Sequence, residues 1–213
     1  MADRVVIDLW SDLICPWCYL GKARLDRAIE LSGRADDITL VLHAFELDQN
    51  APGQTQNVAD LLAAKYGRSP GEVAVMEERI SSLVAAEELP WSSERLSGNT
   101  LDIHRVAALA SDNGMGMAVF DAIQRGYFAG ELNPFDNEEL VAAAVKAGLK
   151  REAVEATLDS QEFSEAVRAD DQLAGQIGIS GVPFVALNMK FGIPGAVETQ
   201  DFAAAIAEAF ASE

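Results

Sequence analysis

The apolar positions of the chain form strand-like runs near its two ends and helix-like patterns between them. Residues 5–10 are a nearly continuous apolar run, which is typical of a mostly buried strand, and residues 38–45 form a second run of this kind. Between the two runs, residues 16–31 carry an apolar stripe at helical spacing and are followed by Gly33, a plausible helix stop. Strand, helix and strand in this order predict a βαβ unit whose strands pair in parallel.

The middle of the chain, from about residue 54 to residue 179, has helical periodicity interrupted by short polar or glycine breaks. We expect no strand in this part. Two helix starts are signalled by Ser69-Pro70-Gly71-Glu72, a capping box with proline at the first helical position, and by the acidic stretch that begins at Asp136. Further helices are predicted at about 57–66, 100–113, 116–128, 150–158 and 161–177.

The last part of the chain returns to strand character at residues 184–188 and 189–193, a predicted hairpin, and ends in an amphipathic helix after Thr199. The order is therefore β-α-β, helices, β-β-α. Neither half of the predicted sheet can cover its apolar faces alone. We therefore predict an α/β protein in which residues 1–50 and 180–213 form one discontinuous domain, interrupted by a large all-helical insertion domain at residues 51–179.

Composition narrows the choice of partners. The 213 residues include 34 acidic and 16 basic side chains, which gives a formal net charge of −18. Such a field repels phosphate backbones and anionic lipid surfaces, so neither nucleic acid nor a membrane is an expected partner. The N-terminal residues lack the features of a signal peptide, and no apolar run reaches the roughly 18 residues of a membrane span. These features predict a cytoplasmic protein.

The candidate chemistry is a pair of cysteines at the start of the first predicted helix. Cys15 and Cys18, separated by Pro16 and Trp17, are the only cysteines of the chain, so no disulfide can close a long loop. Free amides and the helix dipole favour a thiolate at Cys15, and Cys18 lies about one turn further on. We therefore predict Cys15 as the nucleophile and Cys18 as the resolving thiol, with Pro16 and Trp17 tuning their reactivity.

Other polar residues suggest weaker alternatives. A zinc site would need two ligands besides the cysteines, and His43 and His104 are better interpreted as structural or surface histidines. No metal is therefore expected. Asp8 is an acid within an apolar strand, so it could relay the proton of the resolving thiol or simply face outward.

A proline at the start of a predicted strand is a second notable feature. Pro183 lies in Gly181-Val182-Pro183-Phe184, and a cis Val182–Pro183 bond would account for proline at this place. Base rates alone favour an ordinary trans turn, because only about 5–6% of X-Pro bonds in folded proteins are cis.

Several separated motifs resemble the DsbA family of the thioredoxin superfamily, and more narrowly its FrnE-like cytoplasmic branch. They are the segment from Ser11 to Lys22 around the cysteines, Asn99-Thr100 with His104-Arg105, and the segment from Gly178 to Phe184. The resemblance implies a thioredoxin fold interrupted by the helical insertion, and a cis Val182–Pro183 bond beside Cys15. It also implies that the backbone at Val182 pairs with a substrate segment, and that Asn99, Thr100 and His104 line the wall of the cleft. A helix cap explains Asn99 and Thr100 equally well.

Three functions follow as hypotheses. The first is a protein disulfide oxidoreductase or isomerase that acts on protein or small-molecule thiols and disulfides and needs no cofactor beyond its own redox-active cysteines. The second is a glutathione-using enzyme similar to 2-hydroxychromene-2-carboxylate isomerases or kappa-class glutathione transferases, with glutathione as co-substrate. The third is a chaperone or binding module that needs neither cysteine. Homodimerisation through the helices is a further hypothesis, drawn from composition.

Overall fold

The computed structural model describes residues 4–212, which fold into two compact units. One unit consists of the chain up to Leu47 together with the chain from Val167 onward, and the other is Asp48–Ala166. In chain order the strands and helices are β1 (Val5–Ser11), α1 (Pro16–Ser32), β2 (Ile38–Ala44), β3 (Gln56–Asn57), α2 (Val58–Tyr66), α3 (Pro70–Ala86), β4 (Leu96–Ser97), α4 (Leu101–Asp112), α5 (Gly116–Ala129), α6 (Asn137–Lys146), α7 (Arg151–Leu158), α8 (Ser164–Gln176), β5 (Phe184–Leu187), β6 (Phe191–Pro194) and α9 (Thr199–Ala211).

The first unit is built on a four-stranded sheet in the order β2-β1-β5-β6. β1 pairs in parallel with β2, as the predicted βαβ unit requires, and antiparallel with β5. β5 and β6 form the predicted hairpin, whose turn residues Asn188 and Met189 both have positive φ. The Asn188 side chain accepts a hydrogen bond from the Val6 amide at 2.8 Å, so the turn is also fastened to β1. The predicted β-α-β and β-β-α halves of one sheet are therefore confirmed.

Helix α1 begins and ends where its sequence indicates. Pro16 occupies the first helical turn, where no amide donor is needed. At the other end Gly33 has a φ of 64° and donates its amide to the carbonyl of Glu30, a left-handed cap that suits glycine. α1 packs against the C-terminal helix α9, which also contacts β1 and β5. The start of α1 is thus held next to the end of β1.

The second unit is mainly helical, with one difference from the sequence prediction. The capping box of Ser69 and Glu72 is present, and the Asp136 side chain accepts hydrogen bonds from the first two amides after Asn137. However, β3 and β4 pair antiparallel, whereas we expected no strand between residues 54 and 179. Each strand has only two residues, which is too short to produce an alternating pattern, so the prediction was wrong for a physical reason.

A buried arginine organises the core of the helical unit. Arg105 in α4 is 2% exposed and donates hydrogen bonds to the carbonyl oxygens of Thr157, in the last turn of α7, and of Ser160 and Glu162, just beyond it. Its guanidinium also pairs with Asp102 at 2.6 Å. Because the last carbonyls of a helix have no partner within the helix, a guanidinium at this position satisfies them. Arg105 therefore fastens α4 to the end of α7.

The boundary between the two units falls within α8. The second part of this helix belongs to the sheet unit: Ala174 of α8 and Ile179, just after the helix, form a buried cluster with Trp10 of β1 and Ala186 of β5. The insertion domain proposed from sequence, residues 51–179, includes this segment. None of the helices described between residues 4 and 212 is long and apolar enough to cross a membrane.

A charged cluster joins β1, β2 and α8 within the sheet unit. His43 lies between Asp8 and Asp170, with Nε2 2.9 Å from Asp8 Oδ1 and Nδ1 2.7 Å from Asp170 Oδ1. Its ring stacks on Trp10 at a centroid distance of 4.4 Å. Burial acts to lower the pKa of His43, but the hydrogen bonds and charges of Asp170 and Asp8 outweigh it and raise the pKa from 6.5 to about 9. His43 is therefore a charged structural residue, and Asp8 is its partner.

The His43 cluster predicts a pH-dependent stability. Because the folded-state pKa exceeds the unfolded value, the cluster contributes fully below about pH 6.5 and its contribution is lost as the pH rises through about 9. Relative to His43→Gln, the free energy of unfolding of the wild type should fall by roughly 1–2 kcal/mol between these two pH values. This figure is reduced for solvent screening, because the imidazole is partly exposed. Urea unfolding of both proteins at pH 6 and pH 9.5 measures this difference. Equal pH dependence of the two proteins would contradict the assignment.

Candidate active site

The two cysteines lie where β1 gives way to α1. Cys15 is the residue that caps the N-terminus of α1, with an extended backbone of φ −77° and ψ 113°. Its amide donates to the carbonyl of Asp12 at 3.2 Å, and its own carbonyl accepts the Tyr19 amide at 3.1 Å. Cys15 therefore lies at the positive end of the helix dipole.

The residues of the cysteine motif differ in exposure. Cys15 is 4% exposed, Cys18 is completely buried, and both are free thiols. Trp17 is 43% exposed, whereas Pro16 is half-buried. Within the sheet unit, the motif thus exposes the Trp17 side chain and buries both cysteines, Cys18 completely.

The loop before β5 lies directly beside Cys15. The Val182–Pro183 peptide bond is cis, which confirms the geometry implied by the resemblance. The Cys15 Sγ is 3.7 Å from the carbonyl oxygen of Val182, a distance at which the thiol donates a weak hydrogen bond. The structure therefore brings together Cys15, Val182 and Pro183, which lie far apart in the sequence.

Helix α1 makes close contact with this loop. A Cβ atom at Gly21 would lie 2.9 Å from Pro183 Cγ and 3.3 Å from the Cα of Ala196, so only glycine leaves room for them. One turn further along, Arg24 donates to the carbonyl of Ala196 at 3.0 Å and pairs with Glu198. The helix that carries the cysteines thus rests on the proline loop and on the segment after β6.

The buried thiol of Cys18 is the strongly perturbed group of the site. Burial raises the pKa of Cys18 well above its usual value, and the hydrogen bond and charge of Cys15 raise it further. The backbone of Asp12 and the side chain of Ser11 act in the opposite direction and lower this pKa. Ser11 and Asp12 are themselves almost completely buried. Cys18 is thus a protonated thiol at neutral pH.

The other predicted site residues lie in the helical unit. Asn99 accepts the Leu101 amide at 3.0 Å, so its side chain caps the start of α4. Thr100 is 2% exposed, and His104 is 1% exposed with its ring stacked on Phe120. The structure brings these three residues together at the beginning of one helix. Their role as a wall of the cleft stays a prediction.

Sequence reasoning missed two features. Ser11 was part of the recognised motif but was assigned no role, although its side chain acts to lower the pKa of Cys18. The contact of His43 with Asp170 joins residues far apart in the chain, and no local pattern indicates it. As to metals, the part of the chain between residues 4 and 212 contains no group of three or more His, Cys, Asp or Glu side chains placed to hold an ion.

Comparison with known proteins places this architecture in a family. A family model for the DSBA-like thioredoxin domain matches residues 6–207. A structure described as a probable DsbA oxidoreductase from Streptomyces coelicolor has 37% sequence identity and a TM-score of 0.94, covering 99% of this chain and 92% of its own. No curated protein sequence matches the chain.

More distant structures share the fold alone. A 2-hydroxychromene-2-carboxylate isomerase has 15% identity and a TM-score of 0.74, with 95% of each chain covered. The cytosolic disulfide reductase DsbM from Pseudomonas aeruginosa has 16% identity and a TM-score of 0.64, covering 98% of this chain and 100% of its own. The same reductase with GSH has 17% identity and a TM-score of 0.56, covering 97% and 96%.

The sheet, the cysteine-bearing helix and the helical insertion together define a thioredoxin-fold protein with an inserted helical region, as the sequence predicted. The chain belongs to the DSBA-like thioredoxin domain family.

The contact of Gly21 with the proline loop predicts a cost for any side chain at this position. Gly21→Ala should destabilise the protein by about 1–3 kcal/mol, because the added methyl group must displace Pro183 or Ala196. Gly175→Ala in α8 is the matched control: its Cβ would meet nothing within 4 Å among the described residues, so it should be neutral or stabilising by up to about 1 kcal/mol. Urea unfolding measures the stability of both variants. Equal stability of Gly21→Ala and Gly175→Ala would contradict the close packing of Gly21 against Pro183.

Proposed function

We propose that this protein is a thiol–disulfide oxidoreductase that exchanges disulfides through Cys15 and Cys18. The observation that carries the proposal is the position of Cys15, which caps α1 and lies 3.7 Å from the carbonyl of Val182 in the cis-proline loop. Membership in the DSBA-like family supports the same function. Cys15 is 4% exposed whereas Cys18 is 0% exposed, which supports Cys15 as the nucleophile and Cys18 as the resolving thiol.

The exchange proceeds in two displacement steps. The Cys15 thiolate attacks one sulfur of a substrate disulfide, forms a mixed disulfide, and releases the other substrate sulfur as a thiolate. The Cys18 thiolate then attacks Cys15 Sγ, forms the Cys15–Cys18 disulfide, and releases the remaining substrate sulfur. Two electrons pass from the cysteine pair to the substrate, and the two departing thiolates take up the protons that the cysteines lose. The same steps in reverse oxidise a dithiol, and the first step with its reversal isomerises a disulfide.

The proposed partners are protein or small-molecule thiols and disulfides. Trp17 offers an exposed apolar surface beside Cys15, and the backbone at Val182 offers a place where an extended substrate segment can pair. Pro16 and Trp17 would tune the reactivity of the pair. We also propose a cytoplasmic location, with which the fold shared with a cytosolic disulfide reductase is consistent. Homodimerisation is part of the same proposal.

A glutathione-dependent isomerase or transferase is the second candidate. The fold shared with 2-hydroxychromene-2-carboxylate isomerase favours it. The sequence resemblance implies that enzymes of this class carry a serine where this chain has Cys15. In those enzymes the serine would activate the thiol of glutathione. The cysteine pair of this chain favours disulfide exchange instead, in which glutathione would serve as a small-thiol substrate.

The division of labour predicts that Cys18→Ala traps the mixed disulfide. Without the resolving thiol, the first step should run and the second should stop, because no group remains to attack Cys15 Sγ. After incubation with oxidised glutathione, intact mass spectrometry should show one glutathione per chain, whereas wild type should be converted to the internal disulfide. Unmodified Cys18→Ala would contradict the assignment of Cys15 as the nucleophile.

Cys15→Ser serves as the control and also distinguishes the two candidates. It should form no mixed disulfide, because the buried Cys18 cannot reach a substrate. Loss of disulfide exchange in this variant is expected for an oxidoreductase. Isomerisation of 2-hydroxychromene-2-carboxylate in the presence of glutathione, retained by Cys15→Ser, would favour the second candidate.

A further inference from the structure

Arg24 is a buried cation that the exchange mechanism does not use. It lies on α1, beyond the two cysteines, and is 6% exposed. Burying a guanidinium is costly unless its donors find acceptors, and a buried ion pair adds little net stability even when they do. The consequence of interest is therefore which parts of the chain Arg24 holds in a fixed position.

Three acceptors of Arg24 lie in one short segment, residues 195–198, which joins β6 to α9. The guanidinium donates to the carbonyl of Ala196 at 3.0 Å and to that of Val197 at 3.4 Å. It also pairs with the carboxylate of Glu198 at 2.9 Å, and Glu198 is the residue that caps the N-terminus of α9. Arg24 therefore fastens this joining segment to the helix that carries the cysteines.

The joining segment is in turn bonded to the cis-proline loop. The Gly195 amide donates to the carbonyl of Pro183 at 2.8 Å. Pro183 follows Val182, whose carbonyl oxygen lies 3.7 Å from Cys15 Sγ. A continuous series of contacts thus leads from Arg24, through the joining segment, to the peptide group beside the nucleophile.

We propose that Arg24 is a positioning residue for polypeptide substrates: it holds the joining segment, and through it the cis-proline loop, where the Val182 backbone pairs with an extended chain that carries the reacting disulfide. This inference rests on the proposed function. Arg24 takes no part in the two displacement steps themselves. It acts on the choice of substrate, because it favours a disulfide with flanking peptide backbone over a small one.

The effect of Arg24 should therefore depend on the substrate. A disulfide flanked by peptide backbone can form hydrogen bonds at Val182, and a hydrogen bond of this kind contributes a net factor of about three to ten. A small disulfide has no backbone to pair and gains nothing from the position of the loop. Loss of the Arg24 contacts should remove the advantage of the peptide, about three- to tenfold, and leave the reaction of the small disulfide unchanged.

Two mixed disulfides with the same leaving group test this dependence. One joins 2-nitro-5-thiobenzoate to the central cysteine of a short unstructured peptide, and the other joins it to 2-mercaptoethanol. In both, the Cys15 thiolate attacks the sulfur of the peptide or of 2-mercaptoethanol and releases the coloured thiolate, and Cys18 then completes the exchange. The ratio of the two second-order rate constants of colour release measures the preference for the peptide.

Wild type should prefer the peptide disulfide, and Arg24→Met should lose this preference while it keeps the wild-type rate with the small disulfide. Arg24→Lys should lose it too, because an ammonium group lacks the planar set of donors that serves two carbonyls and a carboxylate. Since it keeps the charge, Arg24→Lys decides the test if Arg24→Met does not fold. Arg27→Met replaces an exposed arginine about one turn further along α1 and is the matched control, with the wild-type ratio expected.

The outcomes separate this inference from the function on which it rests. A wild-type ratio in the folded Arg24 variant would overturn the role of Arg24. An equal fall of both rates would overturn it as well, because it would show a general structural effect, and so would a wild type without preference for the peptide. In these cases the oxidoreductase stands if the wild type ends as the Cys15–Cys18 disulfide. A wild type that releases no colour from either compound would instead refute the proposed exchange.

Discussion

The antiparallel pairing of β1 with β5 is the interaction on which the candidate site depends. These strands come from opposite ends of the chain, and their register places Trp10 opposite Phe184. The cysteine loop follows β1, and the Val182–Pro183 loop precedes β5. Because the two strands are antiparallel, their pairing brings both loops to the same end of the sheet. The 3.7 Å contact between Cys15 Sγ and the Val182 carbonyl follows from this arrangement. The fit of Gly21 against Pro183 then fixes α1 in place.

At this end of the sheet, the two thiols lie in different environments. Cys15 lies at the helix terminus and is 4% exposed, whereas Cys18 lies one turn inside, is 0% exposed and has a pKa raised by burial. A buried thiol is protected from side reactions but is slow to ionise. The backbone of Asp12 and the side chain of Ser11 act to lower the pKa of Cys18. The two thiols thus differ because of where the fold places them.

The features that could be predicted from sequence are those that depend on residues close together in the chain. The strand–helix–strand start, the capping box at Ser69, the hairpin after Pro183 and the cysteine pair all have short-range signals, and the structure contains each of them. The cis Val182–Pro183 bond was implied by family resemblance, because base rates alone favour trans. The pairing of β3 with β4 and the His43–Asp170 contact were not predictable, since two-residue strands and long-range ion pairs leave no pattern in neighbouring residues.

Disulfide exchange through Cys15 and Cys18 requires that the two cysteines form a redox pair, and their redox equilibrium can be measured. The protein would be equilibrated in glutathione buffers of defined ratio, quenched by thiol alkylation, and analysed by intact mass. We expect one reversible two-electron transition between dithiol and internal disulfide, with a potential between about −270 and −120 mV, the range of thioredoxin-fold pairs. The absence of any reversible transition would contradict a disulfide-exchanging pair and would make the glutathione-dependent isomerase the leading candidate.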